Sequence, residues 1–394
     1  MIALAEAQQR LIALAPKAMR RTETVSLVNA AGRYALTPMH ATRTQPATAL
    51  SAMDGYAIKA ADQAGPWTLI GVAAAGTAFS GVCNANETVR IFTGAPLPHG
   101  TDTVVMQEDT VHAAEQISLR EGVSLRPQQH VRARASDFAE GVLLVAAGSL
   151  LTPARLGLLA AGGYGSVAVA KPIRVALLST GDELVPPGNA TAIDQIPASN
   201  DVMLSALLGC PGVIVENLGI VRDEPDALAS AISRAQGADI LITLGGASVG
   251  DHDLVRAALI KAGAEIDFWK VAMRPGKPLM AGKLGAQIVL GLPGNPVSAY
   301  VTALLFARPL IAALLGSGSP FPTPQCARLG APLEANGPRT DHIRAYTTTE
   351  GVFPLVPNDS AALSALGRAD CLIVRQANAP AALQGQSVEI LPIA

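Results

Sequence analysis

The chemistry of this chain is organised around residues 241–253, which read Leu-Ile-Thr-Leu-Gly-Gly-Ala-Ser-Val-Gly-Asp-His-Asp. A short apolar run, 238–244, reads as a buried strand that glycines end abruptly. Gly245, Gly246 and Gly250 let the backbone turn tightly and come close to a ligand. Asp251 and Asp253 follow, just before an amphipathic pattern that starts a helix at Leu254. A strand, a glycine turn and a helix start form an anion-binding geometry at the carboxyl edge of a parallel sheet. Two carboxylates beside such a turn suit a metal ion or a charged ligand group between protein and anion. On this turn alone, an ordinary strand-to-helix loop remains equally open. His252, alone between two aspartates, is read as a surface residue.

Other loops carry complementary charge. Asn295-Pro296-Val297-Ser298 reads as a helix start, with Asn as N-cap, Pro at the first position and a hydroxyl one turn in. Free amides there, at the positive end of the helix dipole, would hold an oxyanion. Lys270, Arg274 and Lys277 place three cations within eight residues, on a loop stiffened by Pro275-Gly276. Opposing them are five carboxylates on loops of the same sheet edge: Asp182, Glu183, Asp223, Asp251 and Asp253. Acids and bases gathered in this way need a ligand or metal to mediate. The combination suits a phosphorylated or nucleotide-like substrate with a divalent cation, and hydrolysis or transfer at phosphorus. The chain has no Gly-x-Ser-x-Gly elbow, no His-Glu-x-x-His and no Walker-type Gly-Lys-Ser/Thr, which removes those enzyme classes.

The elements that position these loops follow from the bulk composition and the pattern. With 394 residues the chain is too long for one core, and about two to four domains are expected. Hydrophobic residues make up 49% and charged ones 15%, with mean hydropathy +0.33, which fits a well-buried α/β protein and excludes a disordered one. A net charge of −2 gives no reason to expect nucleic acid or an anionic membrane as partner, so any anion must be held by local cations. Cys83, Cys210, Cys326 and Cys371 lie far apart, without zinc or disulfide spacing, and point to a reducing cytoplasm. The N-terminus, with Glu6 and Arg10 early, is unlike a signal peptide. Residues 297–315 are apolar over about the length of a membrane span. Arg308-Pro309 within them, and the Gly-Asn-Pro turn before them, make a buried core helix the better reading.

In chain order, 2–14 reads as an amphipathic helix and 25–36 as a strand followed by a short helical turn. Asp54-Gly55 is a turn that presents a carboxylate ahead of a strand, and 67–118 reads as a small all-β module. Thr152-Pro153 starts a helix. From 173 to 316 strands and helices alternate, which predicts a parallel sheet with helices on both faces and function in the loops after the strands. Within it, 270–278 is expected as a basic loop. Beyond about residue 320, short strands return as a separate β-domain.

Taken in series, six motifs resemble the molybdopterin molybdenumtransferases, the class of the gephyrin E domain. They are Ser51-Ala52-Met53-Asp54-Gly55-Tyr56-Ala57, Thr93-Gly94-Ala95-Pro96, Ser179-Thr180-Gly181-Asp182-Glu183-Leu184, Gly245-Gly246-Ala247-Ser248-Val249-Gly250-Asp251, Pro275-Gly276-Lys277-Pro278 and Gly291-Leu292-Pro293-Gly294-Asn295-Pro296-Val297-Ser298. The resemblance covers nearly the whole chain in order. It implies a multidomain α/β protein: a central three-layer molybdopterin-binding domain at 173–316, an N-terminal discontinuous domain at 1–45 plus 135–172, an inserted β-rich domain at 46–134, and a C-terminal β domain at 317–394. It also implies an elongated subunit in a homodimer, with the active cleft between the α/β domain of one copy and the N-terminal region of the other. The implied reaction is insertion of molybdate into adenylylated molybdopterin with release of AMP, assisted by Mg2+ or Zn2+. Contacts with the adenylyltransferase and with molybdoenzyme-maturation proteins are the implied protein partnerships.

Residue by residue, Asp54, Glu183, Asp223 and Asp253 match the family's acidic active-site positions, and Lys270 and Arg274 its basic ones. Thr93, Ser179, Gly181, Asp182, Gly245, Gly246, Ser248, Gly250, Lys277, Pro293, Gly294, Asn295 and Ser298 are expected to bind the substrate. Asp182, Glu183 and Asp251 are the expected metal ligands. The chain departs from the family pattern at Thr48-Ala49-Leu50, where Phe-Asp-Asn is frequent, at Ala135-Ser136, where Gly and Glu are common, and at Ala247, which replaces a usual Val. The first two changes remove polar groups from the N-terminal side of the cleft. They keep a non-catalytic cofactor carrier or scaffold open as an alternative, beside the adenylyltransferase of the preceding step.

Overall fold

Alternation of apolar residues along short strands decides how the centre of the chain folds. In the computed structural model, which describes residues 1–15, 20–62, 65–245, 254–356 and 359–393, the central sheet has six strands. They are β1 (Ile173–Thr180), β2 (Val213–Val221), β3 (Ile240–Leu244), β4 (Glu265–Lys270), β5 (Pro278–Leu284) and β6 (Gln287–Leu292), in the order β2-β1-β3-β6-β5-β4. Val175, Leu177, Ile240, Ile242 and Leu290 bury against Leu204 and Leu208 of helix Asn200–Leu208, the helix that follows β6, and the N-terminal helix Leu4–Ala13. Ala176, Leu178, Leu241 and Val289 point the other way, onto helices Pro225–Arg234 and Leu254–Lys261. Successive strand residues thus feed two cores, and a helix layer covers each face.

Strands β2, β1, β3 and β6 run parallel, whereas β5 is antiparallel to β6 and β4 to β5. The alternation predicts a parallel sheet, and the pairings of β4 and β5 depart from it. The difference lies in the connections: a parallel return needs a crossover of roughly a dozen residues or more. Leu284 pairs directly with Gln287, which leaves only Gly285 and Ala286 for the turn, and Gly285 takes φ 60 there.

The helix after β6 is continuous over Pro296–Leu315, 20 residues, with 78% of its most apolar stretch buried. It is long and apolar enough to cross a membrane, but its burial is that of a core helix. Its middle, Ala303–Ala307, is a π-helical turn directly before Arg308-Pro309. Pro309 has no N–H and crowds the carbonyl four residues back, that of Leu305, so the wider turn relieves the clash. The amide side chain of Gln8 donates to that freed Leu305 carbonyl at 2.9 Å. Gly316, at φ 101, ends the helix in the left-handed region.

Outside this centre, Thr22–Ser26 pairs with Ser166–Ala170 and Met39–His40 with Leu143–Val145, both antiparallel. These pairings draw together two segments that are far apart in the chain. The strand followed by a short helical turn expected over 25–36 is present, earlier than expected: the strand is Thr22–Ser26 and Leu27–Ala30 is a 3-10 turn. Helix Pro153–Ala161 begins as its sequence dictates, with the Thr152 hydroxyl accepting from the Arg155 N–H. A six-stranded mixed sheet holds Gly55–Ile58, Trp67–Ala73, Glu87–Ile91 and Thr103–Met106. The C-terminal sheet includes Thr340–Thr348, Cys371–Arg375 and Ser387–Pro392. The basic loop expected at 270–278 is partly ordered as strand. Lys270 ends β4, and Met273–Arg274 joins the C-terminal sheet in register with Thr340 and Asp341.

Candidate functional site

The carboxyl ends of the parallel strands surround one cleft of about 670 Å3. β1 supplies Ser179, Thr180, Gly181 and, just beyond, Glu183; β2 is followed by Asp223; β3 ends in Leu244 and Gly245; β6 leads into Pro293, Gly294 and Asn295. Parallel strands place all their following loops on the same edge, which is why residues more than a hundred positions apart meet here. At Gly245, φ is 95 and an added Cβ would stand 2.7 Å from the Thr180 carbonyl oxygen. A Cβ added at Gly294 would stand 3.7 Å from the Gly245 Cα. Two bare backbone segments therefore approach each other across the cleft floor; the Gly245 N–H is taken by the Leu292 carbonyl at 3.2 Å, so it is the missing side chains that open the floor to a ligand.

One wall is a short excursion that the sequence reading did not foresee. Leu184–Val185 and Ile196–Pro197 form a two-stranded parallel pair, tied by the Ile196 N–H donating to the Glu183 carbonyl at 2.8 Å. The opposite wall is held by Asn200, whose side-chain amide donates to the Gly294 carbonyl at 2.6 Å. Asn200 entered the sequence reading only as part of a helix start. The Asp182 carboxylate accepts from the Asp223 N–H at 3.3 Å, so these two loop acids are tied to each other rather than independent.

The start of the long helix is occupied differently from expectation. Asn295 takes the N-cap position, but its side chain makes no capping bond. Instead its amide donates to the Ser360 hydroxyl at 3.1 Å, and the Val297 N–H donates to the Ser360 carbonyl at 3.0 Å. The amide set expected to be free is thus partly used by the C-terminal sheet's loop. Ser298 is buried and faces a second cavity, of about 410 Å3, which adjoins the first through Pro278.

This second cavity gathers Arg274, Lys277, Arg339 and Arg344 with Ser298, Ser360, Asp341, Asp359 and His342. Arg274 is not an independent cation: its guanidinium donates to Asp341 at 2.8 Å, with side-chain exposures of 51% and 6%. Burial raises the Asp341 carboxyl above its ordinary value, and Arg274 opposes that shift. Arg344, fully buried, donates to the Ala362 carbonyl at 3.0 Å. The sequence reading missed Arg339, Asp341, His342 and Arg344. Their signal was an unusually charged strand, Arg339-Thr340-Asp341-His342-Ile343-Arg344, in a chain with only 15% charged residues.

The remaining expected residues fall elsewhere. Lys277 lines the second cavity, whereas Lys270 is exposed at the end of β4, opposite Pro278, and lines neither cavity. Asp54 and Thr93 sit together on the inserted β-module, where the Asp54 carboxylate accepts from the Thr93 N–H and hydroxyl, both at 2.8 Å. Those bonds hold the Asp54 carboxyl below its usual value, and the charge of Arg90 adds to the effect. The pair lines neither cavity of its own chain. Gly246, Ser248, Gly250, Asp251 and Asp253 lie outside the described residues. Among the described residues no three acidic, His or Cys groups cluster as a metal site. Glu183 and Asp182 supply oxygen donors of the kind Mg2+ takes, one or two carboxylates beside substrate phosphate. Among the described residues no Cys or His lines the cleft.

Comparisons with known proteins bear on this arrangement. Residues 2–163 match the family model described as MoeA N-terminal region (domain I and II), 176–313 that of a probable molybdopterin binding domain, and 326–393 that of the MoeA C-terminal region (domain IV). The molybdopterin molybdenumtransferase of Haemophilus influenzae is 37% identical over 325 residues, covering 80% of this chain and 78% of its own. That of Nostoc is 39% identical over 316 residues, with 77% and 72% covered. A crystal structure of the molybdopterin biosynthesis MoeA protein of Pyrococcus horikoshii superposes over 100% of this chain and 99% of its own, with TM-score 0.81 and 26% identity. Three family models in unbroken order and relatives matched over most of their length leave one assignment: the chain belongs to the molybdopterin molybdenumtransferase (MoeA) family.

Proposed function

We propose that this protein inserts molybdate into adenylylated molybdopterin, releasing AMP and yielding molybdenum cofactor. The observation that carries the reading is the junction of two unlike cavities at Pro278. One is a glycine-floored cleft edged by Glu183 and Asp223, suited to a nucleotide-linked phosphate. The other is lined with four cationic side chains, suited to a tetrahedral oxyanion. Two anionic reactants, one organic and one inorganic, need adjoining but separate seats.

In this reading Ser179, Gly181, Gly245, Pro293, Gly294 and Asn295 line the seat of the phosphate and pterin-phosphate groups, and Gly246, Ser248 and Gly250 contribute to the same seat. Arg274, Lys277 and Ser298 hold molybdate, with Arg274 kept in place by Asp341. Lys270 offsets phosphoryl charge from the rim. Glu183, Asp223 and Asp253 orient the reacting oxygens. Asp182, Glu183 and Asp251 would hold Mg2+, which would neutralise charge at the phosphates.

Asp54 and Thr93 reach the cleft from a second copy of the chain, in a homodimer. Their pre-formed hydrogen-bonded pair, placed away from both cavities of its own chain, supports that reading. We read the units as 1–45 with 135–172, 46–134, 173–316 and 317–394, acting in the cytoplasm beside the adenylyltransferase and the proteins that mature molybdoenzymes. The test supplies adenylylated molybdopterin, molybdate and Mg2+, and follows AMP and active cofactor. AMP release that depends on molybdate is expected. Tight substrate binding without turnover would favour a carrier, and adenylylation from ATP would favour the preceding enzyme.

A further inference from the structure

His342 lies on strand Thr340–Thr348 at 2% exposure and lines the second cavity. Its Nδ1 is buried without a hydrogen-bond partner among the described residues. A buried polar atom left unpaired is unfavourable, and such atoms are scarce in folded proteins. Here the orphan stands in a cavity whose other groups are built for an anion.

We propose that His342 takes up a proton when an oxyanion enters the second cavity and, as the imidazolium, donates a hydrogen bond from Nδ1–H to the bound anion. The proposal rests on the oxyanion reading of that cavity and adds a proton to it. Every neighbouring element contributes to the balance. The 274–277 segment brings Arg274 and Lys277, the residue's own strand brings Asp341 and Arg344, and Arg339 stands just before it. The 359–360 loop brings Asp359 and Ser360, the long helix brings Ser298, and Arg375 on strand Cys371–Arg375 lies opposite Asp341. Five cations against two carboxylates leave this region positive, which disfavours an imidazolium. Burial acts in the same direction, and the His342 pKa falls to about 4, opposed only by a hydrogen bond to the Arg274 backbone. The ring is therefore neutral near neutral pH. A dianion bound beside Nδ1 offsets most of that positive charge and, as the charge nearest the ring, makes the imidazolium the favoured form. The orphan nitrogen then gains both a proton and an acceptor.

The sign follows from linkage: binding that takes up a proton weakens as pH rises. The experiment titrates the full-length protein with sodium molybdate, and separately with sodium sulfate, between about pH 6 and 8, in two buffers of different ionisation heat. Sulfate does not protonate in that range, so its slope belongs to the protein. For the unaltered protein we expect uptake approaching one proton per anion, and affinity falling by up to about tenfold per pH unit. His342→Phe, which keeps the ring volume, and His342→Gln, which keeps polarity without titrating, should both flatten that slope. Binding with no proton uptake by the unaltered protein, or with equal slopes in both variants, would overturn the proposal and leave the oxyanion cavity standing. Failure of either anion to bind at all would overturn both.

Discussion

The Asp341 carboxylate holds the Arg274 guanidinium at 2.8 Å, and the two residues belong to segments 67 positions apart that pair as strands in one sheet. The C-terminal sheet thereby fixes the basic segment of the central domain. Arg274→Ala should raise the KM for molybdate and destabilise the fold by about 1–2 kcal/mol, because a buried acid loses its partner while the half-exposed Arg is partly screened. Adding Asp341→Asn should recover most of the stability and none of the molybdate affinity. Chemical denaturation with steady-state kinetics separates the two effects, and equal recovery of both would contradict this assignment.

Asp54→Ala should lower turnover by about 100-fold or more with the fold intact, since this loop acid packs little and contributes through its charge. Mixed with Glu183→Ala chains, it should regain activity, because each heterodimer would contain one complete cleft. Complementation assays on co-expressed variants read this directly. No recovery would place Asp54 outside the partner's cleft.

At Gly245, alanine meets both a left-handed φ and the Thr180 carbonyl 2.7 Å away. Gly245→Ala should destabilise by about 1–3 kcal/mol and weaken nucleotide-linked substrate more than molybdate. Separate affinity measurements for AMP and molybdate would show the asymmetry.

Gln8→Ala removes the donor to the Leu305 carbonyl freed by Pro309. It should cost about 1–2 kcal/mol of stability with kcat unchanged. A thermal melt together with a turnover assay tests it, and a change in kcat would link the π-helical turn to the reaction.

In the absence of anion, His342 makes acid stability depend on pH. Its folded pKa, about 4, lies below the ordinary 6.5, so its contribution is present above pH 6.5 and is lost as pH falls towards 4. The loss should be roughly 2–3 kcal/mol in the unaltered protein and largely absent in His342→Phe. Denaturant midpoints measured across that pH window check the difference.

Much of the fold was legible because local rules act on local residues. The strand read over 173–178, which the structure extends to Thr180, the Thr152-Pro153 helix start and the buried character of 297–315 follow from periodicity, capping chemistry and composition. The loops carrying Glu183, Asp223, Gly245 and Asn295 were legible as one edge, since parallel strands send their ends the same way. Strand direction at β5 was legible in principle from the two-residue turn at 285–286. What sequence alone left undetermined was which distant groups neutralise one another. Ser360 takes the Val297 amide, Asp341 takes Arg274, and the charged strand bearing His342 and Arg344 closes the second cavity. Those partnerships depend on how the C-terminal sheet docks onto the central domain. Burial and charge balance are properties of that packing, and no residue carries them alone.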